Sequence, residues 1–178
     1  ARKVTQRTNV VTFTNGFHGC TTGALSATGN QHHRGGAGMP LSGMSRLPFE
    51  GYAGIDGLQL FETMLNDNSS GLDKPAAVLL ETVQGEGGLN AASNEWLQRL
   101  NKLCKEHDIL MIVDEVQSGF ARTGKMFAVE HSGVVPDMIT MAKSMAGGMT
   151  LSGLVGRAEL MDAPGPGSVG STYGGSPM

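Results

Sequence analysis

Three short apolar runs constrain this chain more than any other feature, because each is closed by a polar or charged residue. They read AAVLLE at 76–81, ILMIVD at 109–114 and DMITMA at 137–142, with Lys143 directly after the last. A short apolar run bounded by turn residues predicts a buried strand. Between the first two runs lies NEWLQRLNKLCKEH at 94–107, where Trp96, Leu97, Leu100, Leu103 and Cys104 recur at helical spacing. Ser93 supplies an N-cap, Glu95 an acid in the first turn, and Lys105 and His107 bases in the last. Apolar strands alternating with amphipathic helices predict an α/β fold, a mostly parallel sheet flanked by helices.

The rest of the chain fits around that frame. NVVTF at 9–13 predicts a strand, with ARK before it as the tail of a helix. TTGALSATG at 21–29 predicts a short helix weakened by Gly23. DGLQLFETMLND at 56–67 predicts a helix with Leu58, Phe61, Met64 and Leu65 on one face, and LSGLVGR at 151–157 a further strand. Residues 30–55 are rich in Gly, His and Pro without a period and read as loop. Pro177 would suit the first turn of another helix. Residues 1–178 therefore read as the middle of a longer protein, incomplete at both ends.

Composition excludes several classes. The 178 residues are 39% hydrophobic and 16% charged, which places them among globular chains. A formal net charge of −3 leaves no electrostatic footprint for nucleic acid. No stretch approaches the roughly 20 apolar residues of a membrane helix, so no membrane partner is expected. ARKVTQRTNVV lacks the apolar core of a signal peptide. Cys20 and Cys104 cannot build a disulfide framework, and Cys104, on an apolar helix face, predicts a buried free thiol. A reducing, cytoplasmic setting fits. His32 and His33 have no Cys or acid cluster at ligand spacing, so no metal site is expected.

In parallel sheets, ligands bind at the carboxyl ends of the strands. Those ends carry ETVQGEGG after 76–81, DEVQSGFARTG after 109–114 and Lys143 in MAKSMAGG. A buried acid needs a partner, since an unpaired buried charge is costly. Lys143 follows an apolar run and precedes small residues, so its amine would be partly desolvated and a better Schiff-base nucleophile. A pyridinium nitrogen would partner Asp114, holding a ring that acts as an electron sink. Alone, Asp114 also reads as a turn acid or helix cap, and Lys143 as a solvated surface lysine. Their joint placement beside Gly-rich turns favours a site.

FHGCTTGALSATG, ETVQGEGG, VDEVQSGFARTGKMFAVEHSGVVPDMITMAKSMAGG and GSTYGGSP resemble the class III aminotransferases, which are fold type I enzymes of pyridoxal 5'-phosphate (PLP). The resemblance covers essentially the whole chain and implies part of the PLP-binding large domain. Lys143 matches the lysine that forms the Schiff base and later moves the proton, and Asp114 the acid paired with the pyridine nitrogen. Val116 and Phe17 match the residues on the two faces of the ring, and Gln117 the side chain near its 3-oxygen. His18 belongs to the same cofactor-binding motif. Thr172 corresponds to a threonine that binds the cofactor phosphate of the partner subunit, which implies a homodimer or higher homo-oligomer. Glu86 matches a glutamate at the substrate site that pairs with a C-terminal arginine. The family's first phosphate turn, and the small domain with that arginine, would lie outside these 178 residues.

The implied reactants are a small amino donor and a 2-oxo acid. Relatives acting on γ-aminobutyrate or acetylornithine commonly read F/Y-H-G-R-T where this chain reads Phe17-His18-Gly19-Cys20-Thr21. Cys20 cannot clamp a carboxylate bidentately as an arginine does. It is either a neutral substrate-site residue or simple packing. The N-terminal half resembles the branch acting on L-2,4-diaminobutyrate with 2-oxoglutarate, whereas MAKSMAGGMTLSGLVGRAELMDAPGPG is closer to the γ-aminobutyrate branch. L-2,4-diaminobutyrate is the favoured donor, with a γ-aminobutyrate or acetylornithine-type transaminase as the alternative; a racemase or aminomutase would use the same lysine, acid and aromatic stack, and the cut ends also fit a non-catalytic large-domain fragment.

Overall fold

The buried runs form strands that pair in parallel. A computed structural model describes residues 1–168 and Gly170. Helix α1 (Arg2–Thr5) leads into β1 (Val10–Phe13), followed by α2 (Thr22–Ala27), α3 (Gln31–Gly35) and β2 (Met44–Leu47). Then come α4 (Gly57–Asn66), β3 (Ala77–Leu80), a small antiparallel pair β4 (Val83–Gln84) and β5 (Asn90–Ala91), and α5 (Asn94–Glu106). The described chain closes with β6 (Leu110–Asp114), β7 (Met138–Met141), β8 (Gly153–Gly156) and α6 (Ala158–Asp162). The main sheet runs β2-β1-β3-β6-β7-β8, parallel except for β8, which lies antiparallel to β7.

Alternation along the strands divides the core between two faces. Val11, Phe13, Val78, Leu80, Met111 and Val113 pack with Leu58 and Phe61 of α4 and with Trp96, Leu97 and Leu100 of α5. Val10, Ala77, Leu110 and Met138 form a smaller cluster with Leu160 of α6. Each fully buried aliphatic or aromatic side chain contributes about 1.5–3 kcal/mol. The start of α5 is capped twice over. The Ser93 hydroxyl accepts from Trp96 N at 3.1 Å, and Glu50 accepts from both the Ser93 hydroxyl and Ser93 N, at 2.7 and 2.6 Å. At α4 the Asp56 carboxylate accepts from Leu58 N and Gln59 N, and its bond to Arg99 holds its carboxyl below the usual range.

Residues 30–55 are not wholly loop. They hold α3, β2 and a 3-10 turn at Tyr52–Gly54. MSRL in β2 carries no apolar period, and only Leu47 is fully buried; the strand is recruited at the sheet edge by pairing with β1 from Met44 to Leu47. In α3 the Asn30 side chain caps His32 N and His33 N, which starts a turn of helix in a Gly-rich segment.

Chain order decides where a crevice opens. From β1 the chain moves outward to β2, then returns past β1 to β3 and continues the other way. The ends of β1 and β3 therefore flank a topological switch point, where open parallel sheets bind ligands.

Candidate active site

Four adjacent strands, β1, β3, β6 and β7, deliver their carboxyl ends to one edge of the sheet. Phe17 and His18 follow β1, Glu81 and Glu86 follow β3, Asp114 closes β6, and Val116 and Gln117 follow it. Lys143 comes two residues after β7. The register Asp114↔Thr140 brings the acid and the lysine to neighbouring strand ends.

Asp114 has a partner within the chain. Its Oδ2 lies 2.8 Å from His18 Nδ1, and the two side chains are 9% and 3% exposed. An ionised carboxylate only accepts, so Nδ1 carries the proton and donates. Asp114 Oδ1 accepts from Val116 N at 3.1 Å. These contacts leave lone pairs on both oxygens for one more donor. The carboxylate is thus oriented by a residue 96 positions away, beyond the reach of any local pattern.

Lys143 is the opposite case. It starts a 3-10 turn with φ 46°, in the left-handed region that a non-glycine residue seldom occupies. The residue is exposed, which corrects the expectation of a partly desolvated amine: β7 ends at Met141, and the turn carries Lys143 past the packed strand. Its Nζ donates to Gln117 Oε1 at 2.9 Å. Gln117 lies against Gly85, where an added Cβ would come 2.3 Å from its Cδ. Gly85 leaves the room Gln117 needs to reach the lysine.

Beside Phe17 a cavity of ≈ 220 Å³ opens among Asn15, Phe17, His33 and Glu86. Its rim is close-packed backbone. Gly29 N donates to Gly16 O at 2.7 Å, and a Cβ on Gly87 would stand 2.4 Å from Asn15 O. Cys20 is exposed just before α2 and does not line this cavity. Thr172 lies outside the described residues. Cys104 is a buried free thiol whose pKa burial pushes up to about 12.

Two acids were absent from the expected site. Glu81 is buried and accepts from Phe17 N at 2.8 Å and Gly85 N at 3.2 Å, tying the turn after β1 to the turn after β3. Burial, reinforced by the nearby Asp114 charge, raises its pKa, although both backbone donors and His18 oppose the shift. Glu115 is fully buried and braces the loop after β6, accepting from Val129 N at 2.8 Å and from the Ser118 hydroxyl. A strand-terminal acid was the available signal for Glu81, and it marks a brace as readily as a reacting group.

Chemically, the edge offers a primary amine, a buried oriented carboxylate, an aromatic ring and a polar cavity. The aminotransferase class-III family model matches residues 1–178. The chain is 63% identical over 177 residues to the diaminobutyrate–2-oxoglutarate transaminase of Vibrio parahaemolyticus, covering 99% of this chain and 42% of that protein. It is 69% identical over 147 residues to the enzyme of the same name from Vibrio cholerae, covering 83% and 36%. Among solved structures, the ornithine aminotransferase of Toxoplasma gondii ME49 superposes with a TM-score of 0.82 at 32% identity, over 97% of this chain and 40% of that one. The taurine:2-oxoglutarate aminotransferase of Bifidobacterium kashiwanohense, in complex with PLP and glutamate, gives 0.80 at 32%, over 92% and 40%. The chain spans less than half the length of each of these relatives, and it belongs to the class III aminotransferases.

Proposed function

We propose that the protein carrying this chain is a PLP-dependent aminotransferase that moves the ω-amino group of L-2,4-diaminobutyrate to 2-oxoglutarate. The observation that supports the class is the meeting of Lys143, Gln117 and the His18–Asp114 pair at neighbouring strand ends. The choice of donor is supported by the 63% and 69% identity to enzymes of that name.

The residues fit the cofactor. An amine suits an aldehyde, and the spare lone pairs of Asp114 suit a protonated pyridine nitrogen. When bound, PLP supplies an aldehyde that condenses with amines and a ring that accommodates an electron pair. Lys143 would contribute the amine that holds the cofactor, and the same amine would hold and move the proton. Asp114 keeps a negative charge aimed at the ring nitrogen, while His18 fixes the orientation of that carboxylate. Phe17 and Val116 would hold the cofactor ring, and Gln117 positions the lysine amine. Glu86 faces the substrate, and Cys20 leaves its neighbourhood uncharged. Thr172 serves the cofactor phosphate of a partner subunit, so the working unit is at least a dimer. Residues 1–178 form part of the PLP-binding large domain, with the first phosphate turn and the small domain supplied by other segments.

The test is a coupled assay of glutamate formation on the protein at its relatives' full length, with diaminobutyrate and 2-oxoglutarate. Turnover is expected, and borohydride reduction should leave the pyridoxyl label on Lys143. A label on Lys125, or turnover of γ-aminobutyrate but not diaminobutyrate, would contradict the residue or the donor respectively.

A further inference from the structure

The ≈ 220 Å³ cavity beside Phe17 presents few side chains. At about 30 Å³ per water it has room for several waters, or for an amino-acid head group. The close approaches at Gly16, Gly29 and Gly87 keep much of its wall bare backbone. Asn30 also lines the cavity; its Oδ1 caps α3, and its amide nitrogen is a further donor. Asn15, His33 and Glu86 remain as polar side chains. His33, exposed at the mouth of the cavity, meets Phe17 edge-on at a centroid distance of 5.2 Å, and the neighbouring His32 lies at 5.5 Å.

A diamino acid reacting at its distal amine leaves an ammonium and a carboxylate at the other end. Among the cavity's polar side chains, the His33 imidazole can present an N–H to the carboxylate. We propose that His33 is a specificity-determining residue that receives the carboxylate of the amino donor's unreacted end, in the cavity it shares with Phe17 and Glu86. This rests on the aminotransferase function proposed above and adds a substrate contact to it.

L-2,4-diaminobutyrate and 1,3-diaminopropane differ only by that carboxylate. In the full-length protein, His33→Ala and His33→Phe should each raise KM for diaminobutyrate about tenfold, the loss of one hydrogen bond. In both variants kcat should hold, and KM for diaminopropane should stay at the wild-type value. The phenylalanine variant keeps a ring edge on Phe17, so agreement between the two isolates the N–H. Equal KM rises for both donors, a loss confined to kcat, or a parallel rise in KM for 2-oxoglutarate would overturn the proposal. A second readout needs no turnover. The imidazole NMR signals of His33, assigned by their loss in His33→Phe, should shift with L-2-aminobutyrate, which keeps the head group, and not with propylamine. Unmoved signals would overturn the His33 contact even in an active enzyme. Shifted signals in a protein that turns over neither diamine would uphold the contact and reject the donor.

Discussion

The ends of β6 and β7 are neighbours in one sheet, yet they are built in opposite ways. At the end of β6 both acids are spoken for. Asp114 is buried against His18, and Glu115 is fully buried between Val129 N and the Ser118 hydroxyl. At the end of β7, Lys143 is exposed, sits at φ 46° and donates to Gln117. The contrast follows the tasks proposed for them. A charge that stabilises a ring nitrogen works best when its orientation is fixed beforehand. A proton carrier must travel, so its tether has to be loose.

The sharpest way to break this comparison is Lys143→Ala. Because the side chain is exposed, the melting temperature should change little, while glutamate formation falls by roughly 10⁴-fold, at the upper end of proton-transfer catalysis. A large drop in melting temperature would show that β7's end is as structural as β6's. Asp114→Asn should do both kinds of damage. The rate should fall about 100-fold with loss of the preorganised charge. Stability should also fall by about 1–3 kcal/mol as the buried His18 loses its ionised partner, which a denaturant titration would read. Near-normal turnover in that variant would remove Asp114 from the proposed chemistry.

Gly85→Ala tests the link between the two ends. The new Cβ would displace Gln117, whose amide can swing aside, so the fold should survive. The rate should drop about tenfold, the size of one hydrogen bond. An unchanged rate would show that the Gln117–Lys143 contact is incidental. The smallest effect belongs to Glu81. Its pKa is raised by burial above the ordinary carboxyl value of 4.5, so the folded chain holds a proton that the unfolded chain has released. Stability from that site is full below the ordinary value and declines as pH rises through the raised one. Thermal melts of Glu81→Gln across pH ~4 to ~7 should therefore slope downward less than wild type. Identical slopes would place Glu81 ionised throughout.

How much of this was legible beforehand depends on how local each cause is. NEWLQRLNKLCKEH announces α5 because its cap, charges and apolar face all lie within one stretch, and the helix runs Asn94–Glu106 with Ser93 capping it. The buried strands β3 and β6 were equally plain, because burial on both faces demands unbroken apolar residues. Family resemblance pointed to Lys143, Asp114 and Phe17, and the fold brings their strand ends together.

The sequence alone determined the alternating strands and helices, and with them the parallel sheet and the edge where chemistry would gather. Only the tertiary structure decided β2, since an edge strand is held by its neighbour's hydrogen bonds rather than by its own pattern. It alone decided that, of two adjacent acids, Asp114 meets His18 while Glu115 turns into the loop. It alone set His33 against Phe17. These choices join residues far apart in the chain, and distant contacts form only when the whole sheet closes around them, so no local pattern can specify them.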